Sequence, residues 1–259
     1  MSEPILSRDN ARVKHACRLR ESPAARREEG LFFAEGLRLC QDLAQGLDPV
    51  EAFCTPALLA AHPECAGLAG GCTVVSEQVA EKLSGTRTPQ GVFCLFPCRT
   101  TRLSGLLPGK RYVCLEHVQD PANVGALLRS AAAFGFHGAV LCGRCADPFS
   151  PKAARASMGA LARLDIFCED EIKPVLAAFH SIGAYMVAAA MAGSVPLPSA
   201  DPRAHAGMAV WIGNEGNGLE ADTIAAADAV VRIPMAGGVE SLNAAVAGSI
   251  LLWHFREVS

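Results

Sequence analysis

Three polar loops contain the residues whose types and spacing could do chemistry, and each loop follows a short apolar run. The first loop spans residues 116–125 and leads to Arg129. An arginine in an early turn of a helix can bind a phosphate through two parallel hydrogen bonds. A surface arginine on an amphipathic helix has the same local pattern, so this loop alone leaves both interpretations open. His117 could act as a base, although a single histidine beside a strand end is more often structural.

The second loop, residues 213–218, has the sequence GNEGNG. Three glycines in six residues let the backbone approach a ligand closely. Their order differs from the dinucleotide-binding fingerprint, which disfavours a nucleotide-dependent oxidoreductase. Glu215 is expected at the loop tip, where its carboxylate can accept a hydrogen bond from a ligand or pair with an arginine.

The third loop, residues 233–243, makes a Gly-Gly turn before the last helix. Ser241 is expected to be the N-cap of that helix, because serine side chains accept hydrogen bonds from the first free N–H groups. Asn243 would then lie in the first turn, where its amide could contact a substrate.

The elements around these loops alternate between strand-like and helix-like patterns after residue 110. The predicted strands are residues 112–115, 139–142, 165–168, 184–189, 209–212 and 230–233. The predicted helices are residues 123–134, 151–158, 171–180, 219–227 and 242–255. This alternation predicts a parallel sheet covered by helices on both faces. Ligands of such sheets bind beyond the carboxyl ends of the strands, where the three loops lie.

A break rich in proline and glycine divides the chain, which predicts domains at residues 1–97 and 111–259 and a linker at residues 98–110. The first domain is expected to be a small α/β module. Its predicted elements are a charged helix over residues 10–21, a helix starting near Ala34, strands at residues 50–54, 72–75 and 91–96, and a helix capped by Ser76. The final helix is apolar on both faces, which predicts core burial or contact with a partner subunit.

Composition and charge narrow the class of protein. The 259 residues are 51% hydrophobic, which excludes a disordered chain, and the net charge is −3, which argues against a broad basic surface. Basic residues still approach helical spacing near the start, at Arg8, Arg12, Lys14 and Arg18; they form either a phosphate-binding stripe or a solvated helix face. No apolar run is long enough to span a bilayer and no signal-peptide pattern opens the chain, so a cytoplasmic protein without membrane contact is expected.

Eleven scattered cysteines are typical of reduced thiols used as small core residues. Neither a second Cys-x-x-Cys nor a His-x-x-x-His pattern completes a zinc site, so no metal is expected. Cys142 and Cys145 follow a strand-like run, and a redox pair is the alternative to two incidental thiols.

Together the three loops resemble the SpoU family of RNA 2'-O-methyltransferases, within the SPOUT superfamily. The matching segments are residues 120–125 (DPANVG) with Arg129, residues 212–219 (IGNEGNGL), residues 233–235 (IPM) and residues 240–243 (ESLN). Residues 151–160 also match the family. Residues 7–10 and 31–36 are similar to the ribosomal-protein-like substrate-binding domain that many members carry.

The resemblance implies an α/β fold. Its C-terminal parallel sheet would be covered by helices and contain a deep trefoil knot, and a small N-terminal α/β domain would bind substrate. It also implies a homodimer and S-adenosyl-L-methionine (AdoMet) as the cofactor. The implied cofactor-binding residues are Gly213, Gly218, Ile233, Met235 and Leu242. The implied catalytic residues are Arg129, Asn123, Glu215, Ser241 and Asn243, with Glu215 orienting Arg129. The expected RNA-binding residues are Arg8, Arg12, Lys14, Arg18 and Arg155.

The implied reaction is transfer of a methyl group from AdoMet to a ribose 2'-hydroxyl of RNA, with ribosomal RNA and guanosine favoured. Arg129 would hold a phosphate and stabilise the developing alkoxide, because a guanidinium with a pKa above about 12 is a poor proton acceptor. A tRNA ribose methyltransferase is one alternative. A non-catalytic RNA-binding or ribosome-assembly protein on the same fold is the other.

Overall fold

The computed structural model describes residues 3–86, 88–190, 194–199, 205, 207–236 and 241–256. The chain forms two compact units. Unit 1 contains residues 1–99 and 147–162, and unit 2 contains residues 100–146 and 163–259. The predicted boundary puts residues 147–162 in the second domain, whereas in the structure they pack in unit 1.

The two units contain the following elements among the described residues. The strands are β1 (Leu31–Glu35), β2 (Glu51–Cys54), β3 (Thr73–Val74), β4 (Val92–Pro97), β5 (Arg111–Glu116), β6 (Gly138–Cys142), β7 (Asp165–Glu169), β8 (Tyr185–Ala189), β9 (Val195–Pro196), β10 (Met208–Ile212) and β11 (Ala229–Arg232). The α-helices are α1 (Ala11–Glu21), α2 (Pro23–Glu29), α3 (Leu37–Ala44), α4 (Pro56–Ala61), α5 (Glu77–Ser84), α6 (Pro121–Ala133), α7 (Pro151–Ser157), α8 (Ile172–Ser181), α9 (Ala221–Ala226) and α10 (Ala244–His254). Short 3-10 turns cover Pro63–Gly70, Leu103–Gly105, Ala160–Ala162 and Leu197–Ser199.

Unit 1 is built on a four-stranded mixed sheet in the order β1-β4-β2-β3. The helix predicted to start near Ala34 is present, but its predicted start is wrong, because Ala34 lies in β1 and pairs with Cys94 of β4. The following helix, α3, begins only after Gly36. The predicted cap of α5 is confirmed: the Ser76 side chain accepts a hydrogen bond from the N–H of Val79.

Residues 147–162 join unit 1 through specific contacts. The Phe149 ring packs on Phe32, with 5.4 Å between ring centroids. The Arg26 side chain is buried, and its Nε donates to an Asp147 carboxylate oxygen 2.7 Å away. A buried arginine needs such a partner, because an unpaired charge in the interior is costly. These contacts are between residues far apart in sequence, which is why the local pattern does not show them.

Unit 2 is built on a seven-stranded sheet in the order β7-β6-β5-β10-β8-β11-β9, and all of its strand pairs are parallel. The predicted α/β class with a parallel sheet is therefore confirmed. β5, β6 and β10 are buried over nearly their whole length, as the apolar runs predict. In the register of the sheet Leu115 pairs with Ile212 and Glu116 pairs with Cys142, so the carboxyl ends of these three strands lie side by side.

The last helix, α10, begins at Ala244, and its N-cap is Asn243. The prediction that Ser241 caps this helix is wrong. The Asn243 Oδ1 atom accepts hydrogen bonds from the N–H groups of Ala245 and Val246, which leaves Ser241 outside the helix. Among the described residues, no helix has the length and apolar character needed to cross a membrane.

The thiols have the properties of core residues. Burial raises the pKa of Cys145 to about 11 and raises the pKa of Cys142 further. Protonated thiols are poor nucleophiles, so this environment does not support a reactive pair at these two positions. No group of three or more His, Cys, Asp or Glu residues is arranged to hold a metal ion in the described parts of the chain.

Candidate active site

A cavity of about 460 Å³ opens at the carboxyl end of the unit 2 sheet. Cofactor sites usually have volumes of about 300–1,000 Å³, so the cavity is large enough for a small-molecule ligand. Most of its walls come from three segments of the chain, and Ala189, Ala190 and Ile224 complete them: the segments are residues 212–219, 231–235 and 241–251. All five residues expected at the cofactor line this one cavity: Gly213, Gly218, Ile233, Met235 and Leu242.

The glycine-rich loop forms a tight turn at the mouth of the cavity. The backbone groups of Asn214 and Gly218 exchange two hydrogen bonds of 3.0 and 2.9 Å. The Asn214 Oδ1 atom also accepts the N–H groups of Gly216 and Asn217, at 2.8 and 3.0 Å. Asparagine favours such turns because its side chain can bond to the backbone two residues on.

Gly213 is required by this close packing. A Cβ at this position would overlap the carbonyl group of Gly218 and lie 2.5 Å from the amide nitrogen of Leu219. No side chain fits there unless the loop backbone moves. The glycine therefore shapes the cavity wall.

Asn123 on α6 connects the three loops. Its Nδ2 donates to a Glu215 carboxylate oxygen at 2.8 Å, and its Oδ1 accepts from Asn243 Nδ2 at 3.1 Å. Only 8% of Asn123 is exposed, so its amide is committed to these two partners. The structure thus brings three of the expected catalytic residues into one hydrogen-bonded chain. Ser241 is exposed and lines the neighbouring cavity.

Arg129 lies outside this hydrogen-bonded group. It lies on α6, two turns after Pro121, and its side chain is exposed, with no hydrogen bond or ion pair to any other described residue. In the single chain Glu215 contacts Asn123 and does not orient Arg129. The N-cap of α6 is Asp120, whose side chain accepts from the N–H of Ala122. Arg129 is therefore carried on a helix that is fixed at its start.

The basic residues expected to bind RNA lie in unit 1, and most of them face carboxylates. Arg12 pairs with Glu51, and its guanidinium also donates to the Thr73 hydroxyl at 2.8 Å. The remaining pairs are Lys14–Asp9 at 3.0 Å, Arg18–Glu28 at 2.8 Å, Arg18–Glu29 at 3.4 Å and Arg155–Glu35 at 4.0 Å. This pairing reduces the positive charge that the sequence pattern suggests.

The role of Asn214 was missed by pattern alone. Asn214 organises the glycine-rich loop, and its Nδ2 donates to the backbone carbonyl of His117 at 2.9 Å. An asparagine that follows glycine in a loop is a signal for such a turn. The partner of its amide could not be found from sequence, because the two residues are 97 positions apart.

Comparison with known proteins decides the family. The SpoU rRNA methylase family model matches residues 110–253, and the model of the MRM3-like substrate-binding domain matches residues 10–94. The chain belongs to the SpoU rRNA methylase family. An uncharacterised tRNA/rRNA methyltransferase of Synechocystis is 32% identical over 97% of this chain and 93% of its own length. A similarly described Mycolicibacterium smegmatis protein is 38% identical over 54% of this chain and 44% of its own length.

Solved structures of SpoU relatives have the same fold. An AdoMet-bound rRNA methyltransferase from Sinorhizobium meliloti has a TM-score of 0.87 and 31% identity, over 97% of this chain and 96% of that protein. A structure described as an RNA 2'-O ribose methyltransferase has a TM-score of 0.78 and 28% identity, over 97% of both chains. These matches agree with the SPOUT methyltransferase fold that the loops imply.

Proposed function

We propose that this protein transfers a methyl group from AdoMet to a ribose 2'-hydroxyl of RNA, with the cofactor bound in the cavity of unit 2. The observation that carries the proposal is the convergence of residues 212–219, 231–235 and 241–251 on one cavity. The AdoMet-bound S. meliloti relative and the 2'-O ribose methyltransferase relative support the cofactor and the reaction. The deep trefoil knot implied by the family resemblance is part of the same proposal.

The lining of the cavity suits AdoMet. Apolar side chains, including Ile233, Met235 and Leu242, offer a surface for a flat ring, and the glycine-rich loop exposes backbone groups for hydrogen bonds. Bound there, the cofactor supplies a methyl group on a positively charged sulfur. The protein must hold the ribose hydroxyl in line with that methyl group, since orientation alone can contribute several kcal/mol.

Arg129 is the proposed catalytic residue. Its guanidinium stays protonated, so it serves as a phosphate ligand and stabilises the alkoxide that forms as the 2'-hydroxyl loses its proton. Water or a substrate phosphate takes the proton. Because Arg129 has no ion pair with another described residue, its charge is available to an RNA phosphate.

Asn123, Glu215 and Asn243 are proposed to fix the geometry of the site. Their hydrogen bonds join α6, the glycine-rich loop and the start of α10. Ser241 is exposed beside them at the cavity and is proposed to contact the substrate. These hydrogen bonds fix the position of α6, which carries Arg129, relative to the loops that line the cofactor cavity.

Ribosomal RNA is the proposed substrate, with guanosine favoured from the resemblance. The SpoU rRNA methylase model and the rRNA methyltransferase from S. meliloti support ribosomal RNA. Arg8, Arg12, Lys14, Arg18 and Arg155 are the proposed RNA contacts of unit 1. Methylation of tRNA remains the second candidate, because the Synechocystis relative is described as a tRNA/rRNA methyltransferase.

A homodimer is proposed from an exposed apolar face on α6 and α10. Val246 is 50% exposed, Ile250 37% and Trp253 54%, and with Ala126 they line one shallow groove. Large exposed apolar groups on adjacent helices are typical of protein interfaces. Arg129 lies three residues after Ala126 on the same helix, so dimerisation through this face would place Arg129 at the subunit boundary.

The test combines target mapping with one variant. Ribose methylation is mapped in RNA from cells with and without the protein, and the purified protein is then assayed on the identified RNA with AdoMet. Arg129→Ala should lower kcat by about 10²–10³-fold, the effect of removing one preorganised donor, while the Kd for AdoMet stays unchanged. Arg38→Ala, at a position 82% exposed in unit 1, is the matched control. Wild-type turnover by Arg129→Ala would remove Arg129 from the mechanism.

A further inference from the structure

We propose that Glu116 and His117 form a clamp that holds both ends of the glycine-rich loop and thereby sets the affinity of the cavity for AdoMet. The clamp lies at the carboxyl end of β5 and does not line the cavity itself. Both are positioning residues, since they act through the loop. The inference rests on the proposed function for the identity of the ligand, but the contacts that make the clamp are independent of it.

The backbone of His117 holds the first end of the loop. Its φ angle of 57° lies in the left-handed region, which residues other than glycine adopt rarely. In this conformation its carbonyl oxygen accepts a 2.9 Å hydrogen bond from Asn214 Nδ2. Because Asn214 organises the whole turn through its own Oδ1, this contact connects β5 directly to the shape of the loop.

The ring of His117 holds the second end. The Arg144 N–H donates to Nδ1 at 2.8 Å, so the ring proton is on Nε2, which then donates to a Glu220 carboxylate oxygen at 2.9 Å. Gly143 makes room for the ring: a Cβ there would lie no more than 3.0 Å from three imidazole atoms. Both ring nitrogens are thus engaged, and Glu220 is at the N-cap position of α9.

Glu116 reinforces the second end from the interior. It is fully buried, and its two carboxylate oxygens accept the N–H of Glu220 at 2.5 Å and the hydroxyl of Thr223 at 2.6 Å. A carboxylate at the start of a helix satisfies N–H groups that have no partner within the helix. Glu116, the last residue of β5, and His117, which follows it, therefore hold Asn214 on one side of the loop and Glu220 on the other.

The clamp matters because the loop between these points is intrinsically flexible. Glycines lose more conformational freedom on ordering than any other residue, and three of them lie at positions 213–218. A loop that is already ordered leaves less entropy to be lost when a ligand binds. Loosening either end should therefore weaken cofactor binding and leave the reaction of the bound complex unchanged.

The experiment measures AdoMet binding by titration calorimetry and steady-state kinetics on the full-length protein. His117→Asn keeps the backbone carbonyl and tolerates the left-handed conformation, but it removes both ring contacts. We expect the Kd for AdoMet to rise about fivefold, from the loss of these hydrogen bonds, with kcat at saturating substrates within about twofold of wild type. His180→Asn, the same change at an exposed position on α8, is the matched control and should bind as wild type does.

A second variant, Thr223→Val, perturbs the clamp at its contact with α9. It keeps the proposal testable if His117→Asn does not fold. It removes the hydroxyl that donates to Glu116, and we expect the Kd for AdoMet to rise about threefold. Unchanged Kd values in both variants would overturn the clamp. So would a loss of kcat at constant Kd, which indicates a general loss of folded protein.

Amide hydrogen exchange separates this inference from the proposed function. In His117→Asn the amides of residues 214–218 should exchange faster than in wild type without any ligand, while those of β6 keep their rates. If wild-type protein fails to bind AdoMet, the proposed function is wrong. The exchange rates then show by themselves whether the clamp orders the loop. Equal exchange in the loop of both proteins would refute it.

Discussion

Replacing Asn123 by aspartate tests the connection between the three loops. Asn123→Asp keeps the oxygen that accepts from Asn243 but replaces the amide that donates to Glu215 with a second carboxylate oxygen. One hydrogen bond is lost and two negative charges come together. The variant should unfold more easily than wild type at neutral pH.

The expected loss in the free energy of unfolding follows from the distance between the side chains of residues 123 and 215. The nitrogen and oxygen are 2.8 Å apart, and two unit charges at that separation repel by about 1.5 kcal/mol even in bulk water. The lost hydrogen bond adds about 1 kcal/mol, below the range of about 1.5–3 kcal/mol for bonds to charged groups because Glu215 is exposed. The free energy of unfolding should therefore fall by about 2.5 kcal/mol. In a domain of this size, Tm falls by about 5–10 °C for such a loss.

Calorimetric melting of the single and double variants measures this effect. Adding Glu215→Gln should restore more than half of the lost stability, because the new glutamine amide can donate to the carboxylate at position 123. A single variant with the Tm of wild type would refute the contact between Asn123 of α6 and Glu215 of the glycine-rich loop. A double variant no more stable than Asn123→Asp would do the same.

Three further predictions concern charge, assembly and RNA. Burial raises the pKa of Glu116, so its ionised form is disfavoured in the folded protein. The free energy of unfolding of wild type, measured with denaturant relative to that of Glu116→Gln, should therefore fall as pH rises above the usual glutamate pKa of about 4.3. Ile250→Glu should give a monomer by light scattering, whereas Leu6→Glu, at an apolar position 71% exposed, should not change the mass; a dimeric Ile250→Glu protein would exclude this face. Arg8→Glu should weaken RNA binding and lower its salt slope by about 0.7–0.9 per lost phosphate contact; an unchanged slope would place the RNA elsewhere.

The catalytic fold could be predicted because its strands are continuous apolar runs between polar loops. Each predicted strand of unit 2 overlaps an observed one. The observed strand β9 was not predicted, because two residues are too short to give a pattern. In unit 1 the pattern does not predict β1, and it starts the next helix near Ala34 when α3 begins at Leu37. Residues 31–35 form a strand because they pair with β4, a partner some sixty residues away, and local propensity contains no information about that partner.

The sequence predicts which residues form the candidate site, but it does not predict the hydrogen bonds and ion pairs that these residues make. The residues around the cavity came from three motifs and their family resemblance, and the structure brings them together. Asn243, which caps the last helix in place of Ser241, also donates to Asn123, and this partner 120 positions away could not be found from local sequence. The neutralised charges of Lys14 and Arg18 likewise depend on carboxylates whose positions only the fold determines.

The division of unit 1 between two stretches of chain has a consequence for how the protein is made. A ribosome releases residues 1–99 well before residues 147–162, so the early stretch must wait with Arg26 lacking Asp147 and Phe32 lacking Phe149. Vectorial folding from the N-terminus, which serves most multidomain proteins, cannot finish this unit first. A shortened gene that stops at residue 99 would encode an incomplete module, so soluble fragments of unit 1 should extend at least to residue 162.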